Sequence, residues 1–313
     1  MTIKQKKHIC KILTSTPLFD EPLSKHTTFG IGGPATCLVF PNDEKELSNI
    51  LKFTKKENIK TFFGGSGSNL LIWDDGFDGC FISLKRTFKK FFIDNDNKMI
   101  AESGVMLGKL VKDAIHSNLT GFESLIGVPG TLGGALIMNA GAFGSEISTY
   151  LVKVRSMDQN GNINIYEKND ITFDYRYSNL PKNEIIIDAT FQCIKGNPEN
   201  IKESKLAVSN LRKQTQPLRI RSAGSIFKNP SKKIAAGYLI DKSGIKGKCK
   251  GGACISEKHA NFFVNQKNAT AADVFYLIKT AKDLVAKLFN INLELEVKLV
   301  GFPQNLLDEI AVA

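Results

Sequence analysis

The sequence predicts a mixed α+β protein made of one large domain or two of ordinary size. The chain has 313 residues, against about 150 for a typical domain. Segments with apolar residues at helical spacing alternate with short strand-like runs, and no internal repeat is present. Hydrophobic residues make up 42% and charged residues 23% of the chain, which excludes a disordered or collagen-like protein.

The first predicted elements are a helix and a strand that leads into a glycine-rich loop. Residues 43–54 are predicted to be helical because Asn42 or Asp43 suits the N-cap position and apolar residues recur behind it on one face. The apolar run 59–63 is a predicted strand, and it ends in the loop 64–69, which reads Gly-Gly-Ser-Gly-Ser-Asn.

A second helix and two further glycine-rich segments follow. The helix is predicted over 109–117, and Gly121 lies beyond its end. Glycine recurs in 127–134 and again in 139–144. Because glycine lets backbone N–H groups converge on an anion, the three segments together favour an extended diphosphate cofactor, although one such loop alone is explained equally well as a tight turn.

Neither common nucleotide-binding motif explains these loops. A dinucleotide fingerprint starting at Gly65 would need a glycine where Leu70 stands, and no crossover helix fits before Asp74. A P-loop is absent because no glycine lies five positions before Gly247 and Cys249 stands where a hydroxyl is required.

The second half of the chain begins with predicted strands. Residues 152–166 form two alternating runs around Asn160-Gly161, which predicts a β-hairpin with a type I′ turn. Another strand is predicted at 184–194, and a polar helix over 198–213 is predicted to lead into a second domain.

The last predicted elements are a long helix and a strand. Thr270 and Asp273 form a capping-box pattern at the start of the helix, and apolar residues recur behind them at helical spacing. Residues 293–299 alternate strictly, which predicts a strand with Glu294, Glu296 and Lys298 on one charged face.

The chain is basic, with a formal net charge of +11. This charge favours anionic partners, and phosphate-bearing small molecules satisfy it as well as nucleic acid does. The basicity is mostly lysine, which reads no base sequence by itself, so no nucleic-acid partner is predicted. The cluster Arg212, Arg219 and Arg221 is the one feature that supports the alternative of a nucleic-acid-binding module.

The cysteines and the N-terminal segment indicate a cytoplasmic protein. The one close pair, Cys249 and Cys254, lacks the spacing of a zinc site, so no metal site is predicted. The cysteines are predicted to be free thiols. The apolar run 9–13 is too short for a signal peptide, and no run approaches the ~18 apolar residues of a membrane span.

Eight short segments occur in one order between residues 25 and 301. They are TTFGIGG (27–33), GGSGSNLL (64–71), GVPGTLGG (127–134), NAGAFG (139–144), YRYS (175–178), AGSIFKNP (223–230), HANFFVN (259–265) and LEV (295–297). In this order they resemble the UDP-N-acetylenolpyruvoylglucosamine reductase family, flavoproteins that make UDP-N-acetylmuramate for peptidoglycan and hence for cell wall, cell shape and cell division.

The resemblance implies an α+β fold with a vanillyl-alcohol oxidase (PCMH-type) FAD-binding domain in two subdomains over 25–197. A smaller α+β substrate-binding domain is expected over 198–290, after an N-terminal segment 1–24 and before a terminal strand 291–313 that returns to the flavin region. Ser225 lies 49 positions after Arg176, which implies the shorter subtype without a lid tyrosine.

The resemblance also implies the reaction and its catalytic residues. FAD, bound noncovalently, would pass a hydride from NADPH to C3 of the enolpyruvyl group of UDP-N-acetylglucosamine enolpyruvate, and Ser225 would give the proton to C2. Arg176 would stabilise charge on the carboxylate with its planar fork. Glu296, the acid directly before Val297, would assist enolate stabilisation or proton delivery, although its strand position alone is also that of a solvent-exposed residue.

Further contacts follow from the same resemblance. Tyr175, Lys213 and Asn229 are expected to contact the substrate, and the protein is expected to act as a monomer with a small-molecule partner and no membrane partner. The rival enzyme is another flavoprotein of the same fold, such as a sugar or hydroxy-acid oxidase. The expected FAD contacts are Gly64, Gly65, Ser66, Gly67, Ser68, Asn69, Gly127, Pro129, Gly130, Thr131, Gly134, Asn139 and Gly141.

Overall fold

The structure is a computed structural model that describes residues 1–311. Its helices are α1 Ile3–Ile12, α2 Glu44–Lys56, α3 Leu107–His116, α4 Leu132–Ile137, α5 Pro198–Thr215, α6 Ala236–Lys242, α7 Ala271–Phe289 and α8 Gln304–Ala311. Its first strands are β1 Leu18–Pro22, β2 Pro34–Val39, β3 Thr61–Phe63, β4 Leu70–Ile72, β5 Phe77–Ile82, β6 Phe91–Ile93, β7 Lys98–Glu102, β8 Leu119–Thr120, β9 Gly141–Ala142 and β10 Ser145–Glu146. The later strands are β11 Leu151–Met157, β12 Ile163–Glu167, β13 Phe173–Asp174, β14 Tyr177–Ser178, β15 Ile185–Gln192, β16 Ile194–Lys195, β17 Arg221–Ser225, β18 Cys249–Lys250, β19 Ala253–Ile255, β20 Phe262–Asn265 and β21 Lys298–Val300.

The chain folds into two compact units, each made of several chain segments. Unit 1 contains Met1–Phe19, Thr36–Ser66 and Gly79–Leu211. Unit 2 contains Asp20–Ala35, Gly67–Asp78 and the chain from Arg212 onward. The domain limits expected from the sequence stay a prediction, because a compact unit need not coincide with a functional domain.

Unit 1 is built on a five-stranded antiparallel sheet with the order β12-β11-β15-β7-β6. A second sheet, β1-β2-β5-β3, includes the parallel pair β3 and β5. One core joins the five-stranded sheet to α3 and α4, with Val111, Leu136, Val154 and Phe191 fully buried. A second core forms around α2 and the strands of the second sheet. The apolar face predicted for residues 43–54 is confirmed, with Asp43 as the N-cap.

Unit 2 contains a four-stranded sheet with the order β17-β20-β19-β18, and β4 and β21 pair in parallel. The long helix α7 packs against β18 and β19. Its predicted capping box is confirmed, since the Thr270 hydroxyl accepts from the Asp273 amide and the Asp273 carboxylate accepts from the Thr270 amide. The capped helix supplies Val274, Ile278 and Ala281 to the core of unit 2.

A second acid completes this helix terminus. After β4, the Asp74 carboxylate accepts hydrogen bonds from the amides of Ala271 at 2.8 Å and Ala272 at 3.0 Å. These are two of the amides that have no partner inside the helix, and a negative charge there is favoured by the helix dipole. Sequence spacing did not reveal this contact, because Asp74 and α7 are far apart in the chain.

Asp74→Ala is expected to lower the free energy of unfolding by about 1–2 kcal/mol, because two amides at the start of α7 lose a charged acceptor. Denaturant titration measures this change. Asp75→Ala is the matched control, since its carboxylate accepts only a 3.3 Å bond from Trp73 Nε1 in the described chain, and we expect a change below about 0.5 kcal/mol. Equal effects of the two substitutions would contradict the capping role of Asp74.

The hairpin at residues 151–167 is confirmed, but its predicted turn type is wrong. Gly161 adopts a φ of +76° and Asn160 has no positive φ, whereas a type I′ turn needs both. The Gly161 amide donates to the Asp158 carbonyl at 3.0 Å, and the Asp158 amide donates to the Asn162 carbonyl at 3.0 Å. This is a three-residue loop with a glycine bulge, and the Asp158 carboxylate stabilises it by accepting from two loop amides.

The strand predicted over 293–299 is shorter in the structure. Only Lys298–Val300 forms a strand, β21, while Leu295 makes an isolated bridge to Phe227. Glu294 is 73% exposed and pairs with Lys228 Nζ at 2.6 Å, whereas Glu296 is half-buried. The three charged residues therefore do not share one solvated face.

The expectation of free thiols is wrong for one pair. Cys249 and Cys254 face each other across β18 and β19 and form a disulfide with a Cα–Cα distance of 4.1 Å. Antiparallel pairing brings two residues five positions apart to opposite sides of a tight hairpin, which spacing alone did not indicate. The other cysteines are free thiols.

Candidate functional site

Two glycines of the loop 64–69, Gly64 and Gly65, allow close packing in unit 1. A Cβ at Gly64 would collide with the Phe81 ring, and a Cβ at Gly65 would collide with the Thr131 hydroxyl. Protein atoms therefore occupy the side on which a larger residue would carry its side chain. Glycine is needed at these two positions because the neighbouring side chains pack directly against the backbone. The space on that side is therefore filled by protein and is not open to a ligand.

The backbone of the same loop offers hydrogen-bond donors. Gly67 has a φ of +69°, and its carbonyl accepts from the Thr28 amide at 3.2 Å. Across residues 1–311, the amides of Gly65, Gly67 and Asn69 donate to no protein acceptor. Unpaired amides in a glycine loop are the donors that bind phosphate in nucleotide-binding proteins.

Thr131 joins the first and second glycine-rich segments within unit 1. It is buried, forms a bridge to Met106, directly precedes α4 and lies against Gly65. Gly130 before it has a φ of +136°, and its carbonyl accepts from the Leu107 amide at 2.9 Å. The positive φ makes glycine the residue of choice at position 130. Gly127, Pro129 and Gly134 are exposed around this junction.

Asn139 anchors the third glycine-rich segment. It is fully buried with a φ of +40°, and its Nδ2 donates to the Glu146 carboxylate at 2.8 Å and to the Asp174 carbonyl at 3.2 Å. Gly141 pairs with Glu146 across β9 and β10. The Asn139 Oδ1 atom has no hydrogen-bond partner in the described chain. A buried acceptor without a partner has a large desolvation cost, so a bound donor at this point would be favoured.

Arg176 lies in the two-residue turn between β13 and β14, close to Asn139 in unit 1. Its φ of +55° is unfavourable for an arginine, and its guanidinium carbon lies 4.9 Å from the centroid of the Tyr175 ring. The hairpin is held by Asn139 on one side and by a 3.0 Å bond from Ser178 Oγ to the Ile137 carbonyl. The structure thus brings Thr131, Asn139, Tyr175 and Arg176 into one unit.

Ser225 is presented at the end of β17 in unit 2. Ser222 pairs with Val264 and Ser225 pairs with Phe262, with a register shift between them. Gly224, with a φ of +76°, accommodates this irregularity. No hydrogen bond to the Ser225 hydroxyl is formed within residues 1–311, so a ligand is free to accept one.

Glu296 is brought next to the Ser225 segment in unit 2. Its backbone amide donates to the carbonyl of Ile226, the residue after Ser225, at 2.8 Å. Its backbone carbonyl accepts from Asn69 Nδ2 at 3.0 Å, and the Asn69 carbonyl accepts from the Lys298 amide at 3.0 Å. Asn69, at the end of the first glycine loop, therefore holds the segment that carries Glu296.

The predicted substrate contacts in unit 2 are separated. Lys213 lines a cavity of about 560 Å³ with Gln216, Arg219 and Lys258, while neither Ser225 nor Asn229 lines it. The Asn229 side chain accepts from the Ala236 amide at 3.1 Å and so caps α6. The structure gives Asn229 a local structural role, and Lys213 and Asn229 do not meet at one point.

Two asparagines that organise this region were not singled out from the sequence. Asn261 and Asn265, within the HANFFVN segment, both use their side-chain amides on the backbone. His259 in the same segment is half-buried, and burial lowers its pKa. The HANFFVN motif was the signal available in the sequence, but Phe227 and Phe29, whose backbone groups the two asparagines bind, are distant from them in the chain.

Two negative findings bear on the predicted chemistry. The described part of the chain contains no cluster of three or more metal-ligating side chains. None of the helices within residues 1–311 has the length and apolar character needed to cross a membrane.

Comparison with known proteins identifies two domain families in the chain. Residues 35–165 match the FAD binding domain family, and residues 216–300 match the C-terminal domain of UDP-N-acetylenolpyruvoylglucosamine reductase. The first match contains all three glycine-rich segments. The second contains Ser225, Asn261 and Glu296.

Whole-chain similarity extends over nine-tenths of the sequence. A UDP-N-acetylenolpyruvoylglucosamine reductase from Clostridioides difficile is 44% identical over 283 residues, covering 90% of this chain and 92% of the relative. One from Caldanaerobacter subterraneus subsp. tengcongensis is 41% identical, covering 90% and 93%. The crystal structure of UDP-N-acetylenolpyruvylglucosamine reductase from Thermus caldophilus superposes with a TM-score of 0.76 at 32% identity, covering 91% of this chain and 98% of that chain. The α+β fold with an FAD-binding domain that the sequence predicted is confirmed.

Proposed function

The chain belongs to the UDP-N-acetylenolpyruvoylglucosamine reductase family, and from this premise we propose how its residues perform the reaction. It is a flavin-dependent oxidoreductase that uses FAD and acts on a UDP-sugar in the formation of UDP-N-acetylmuramate for peptidoglycan. The proposed reductant is NADPH, and the proposed chemistry is hydride addition to C3 of the enolpyruvyl group with protonation at C2.

The residues of the glycine-rich segments fit FAD. The unpaired amides of Gly65, Gly67 and Asn69 are suitable donors to its diphosphate, and the buried, unpartnered Asn139 Oδ1 is a suitable acceptor for a flavin or ribose donor. When bound, FAD supplies the transfer of a hydride from NADPH to the substrate. The remaining residues of the predicted cofactor set are proposed to line the same site.

Ser225 is the proposed proton donor. Hydride addition at C3 leaves negative charge that is shared between C2 and the carboxylate, and the C2 carbon is a strong base in this enolate. A serine hydroxyl is a weak acid, but it can protonate such a carbon when it is held at the correct distance. Its lack of a partner in the described chain supports this role, because the hydroxyl need not break a bond to reach the substrate.

Arg176 and Glu296 are the proposed partners of the enolate. The Arg176 guanidinium can form two parallel hydrogen bonds with a carboxylate, where the negative charge accumulates. Its positive φ supports a functional role, since such strain persists where the surrounding structure requires it. Glu296 is proposed to assist proton delivery, and the bond from its amide to the Ile226 carbonyl, next to Ser225, supports this.

Tyr175 and Lys213 are proposed substrate contacts on the basis of family resemblance. Tyr175 stacks on Arg176, and Lys213 is exposed beside Arg219 and Lys258. A diphosphate carries the charge that such a basic group would bind. Asn229 is also a proposed substrate contact, because it is exposed to solvent although its side chain caps α6.

One spectroscopic experiment tests the proposed function. The purified holoprotein is reduced anaerobically with NADPH, and UDP-N-acetylglucosamine enolpyruvate is then added while the visible flavin band is followed. We expect the band to bleach with NADPH and to return with the substrate. A band that bleaches but does not return with this substrate would contradict the proposed activity, and a band that only NADH bleaches would contradict the proposed reductant.

Asn139→Ala is expected to weaken FAD binding by about tenfold, because the acceptor Oδ1 and the support for the Arg176 hairpin are both lost. Flavin fluorescence quenching during titration of the apoprotein measures the dissociation constant. Asn179→Ala is the matched control, since its side chain accepts from the Thr172 amide at 2.9 Å near the same hairpin. If both variants bind FAD as tightly as the wild type, Asn139 has no part in the cofactor site.

A further inference from the structure

Beyond Ser225, the chain continues as an extended segment held from both sides. Ser225 is the last residue of β17 that pairs with β20, through Phe262. On the other side, the Lys228 amide donates to the Glu294 carbonyl at 2.8 Å, and the Ile226 carbonyl accepts from the Glu296 amide. Residues 226–228 are therefore bonded to the segment of Glu296 on one side. On the other side they no longer pair with β20.

On the side where β20 no longer pairs, the Asn261 side chain binds the backbone of Phe227. Asn261 Oδ1 accepts from the Phe227 amide at 2.9 Å, and Asn261 Nδ2 donates to the Phe227 carbonyl at 2.8 Å. The Asn261 backbone carbonyl also accepts from the Ile226 amide at 2.9 Å. One asparagine amide thus binds both backbone groups of Phe227, as a neighbouring strand would.

The two hydrogen bonds between the Asn261 side chain and the Phe227 backbone are buried, and they require a side-chain amide. Asn261 is 3% exposed and Phe227 is fully buried, so an unpaired backbone group here has no water to replace its partner. A carboxylate accepts but does not donate, and an aliphatic side chain does neither. Only an amide of this length satisfies the donor and the acceptor of Phe227 together.

We propose that Asn261 is a positioning residue for this reaction, holding residues 225–228 so that Ser225 and Glu296 keep the separation that proton delivery requires. Asn261 does not act on the substrate itself. It holds the Ser225 segment directly, and it acts on Glu296 through the Ile226 carbonyl and the bridge between Phe227 and Leu295. The inference rests on the catalytic roles proposed above for Ser225 and Glu296.

The test uses the full-length holoprotein and the variants Asn261→Leu and Asn261→Asp. The aspartate variant keeps the shape of the side chain but replaces the Nδ2 donor by a carboxylate oxygen that faces the Phe227 carbonyl, so it is informative if the leucine variant folds poorly. Asn265→Leu is the matched control. It lies in the same HANFFVN segment and loses two side-chain hydrogen bonds, to the Phe29 carbonyl and from the Ala269 amide, but none to residues 225–228.

Two readouts separate positioning from general loss of structure. Amide hydrogen exchange is measured in peptides covering 222–230 and 292–298, and we expect exchange at least about tenfold faster in both for the Asn261 variants. The two flavin half-reactions are measured separately. We expect reduction by NADPH within about threefold of the wild type and reoxidation by substrate about 10²-fold slower, because small displacements of reacting groups have effects of this size.

The outcomes are distinct. Faster exchange in both peptides with selective loss of reoxidation, and neither effect in Asn265→Leu, supports the proposal. Unchanged exchange in either peptide overturns it, whatever the activity is. Faster exchange with equal loss in both half-reactions assigns Asn261 a structural role only and also overturns it. If wild-type flavin is not reoxidised by the substrate, the proposed function fails, while the exchange data still decide whether Asn261 holds both segments.

Discussion

Ser225→Ala is expected to retain flavin reduction by NADPH and to slow flavin reoxidation by the enolpyruvyl substrate by about 10²–10⁴-fold, the range contributed by a positioned general acid. The substitution removes only the oxygen that would donate the proton to C2. Hydride transfer then has to produce an enolate that no residue protonates. Stopped-flow absorbance at the flavin band, with each half-reaction measured alone, gives the two rates.

Ser222→Ala is the control for this experiment. Ser222 lies on the same strand, and its backbone carbonyl, which accepts from Thr28 Oγ1 at 2.8 Å, stays in place. The substitution removes only a hydroxyl that accepts a 3.4 Å bond from the Gly224 amide. We expect both of its half-reactions to stay within about threefold of the wild type. Equal slowing of both half-reactions in Ser225→Ala would remove Ser225 from the role of the acid.

Arg176→Ala is expected to slow reoxidation by substrate by about 10²–10³-fold while FAD stays bound, because the enolate loses its cationic partner. Arg176→Lys keeps the charge but lacks the planar fork, so we expect it to recover only part of the rate. Flavin content after gel filtration and the two half-reaction rates are the measurements. Loss of FAD from Arg176→Ala would reassign this arginine to cofactor binding.

A third substitution at this position tests why an arginine occupies a turn with a φ of +55°. Glycine adopts this conformation without steric cost, so Arg176→Gly is expected to be at least as stable as the wild type in denaturant titration while reoxidation by substrate is slow. A variant that is both less stable and equally slow in the two half-reactions would indicate that Arg176 serves the fold of the hairpin.

Local signals in the sequence predicted the secondary structure well where a helix carries its own caps. The helix after Asp43 and the helix after Thr270 both begin as expected, since the capping side chain and the amide it binds are three residues apart. The turn at residues 158–162 was predicted less well. Asn-Gly suits a type I′ turn, but the Asp158 carboxylate binds two loop amides and stabilises a longer loop instead.

The sequence by itself determined the α+β class, the FAD cofactor and the family, because eight ordered motifs are a property of the chain and need no coordinates. Only the tertiary structure decided which residues act on one another. The Asn261 amide on the Phe227 backbone, the Asp74 carboxylate on α7, the Asn69 bond to the Glu296 carbonyl and the Cys249–Cys254 disulfide each depend on strand register or on chain segments that fold together. Local patterns depend on residues within one or two turns, whereas these contacts form only when the core brings distant segments together.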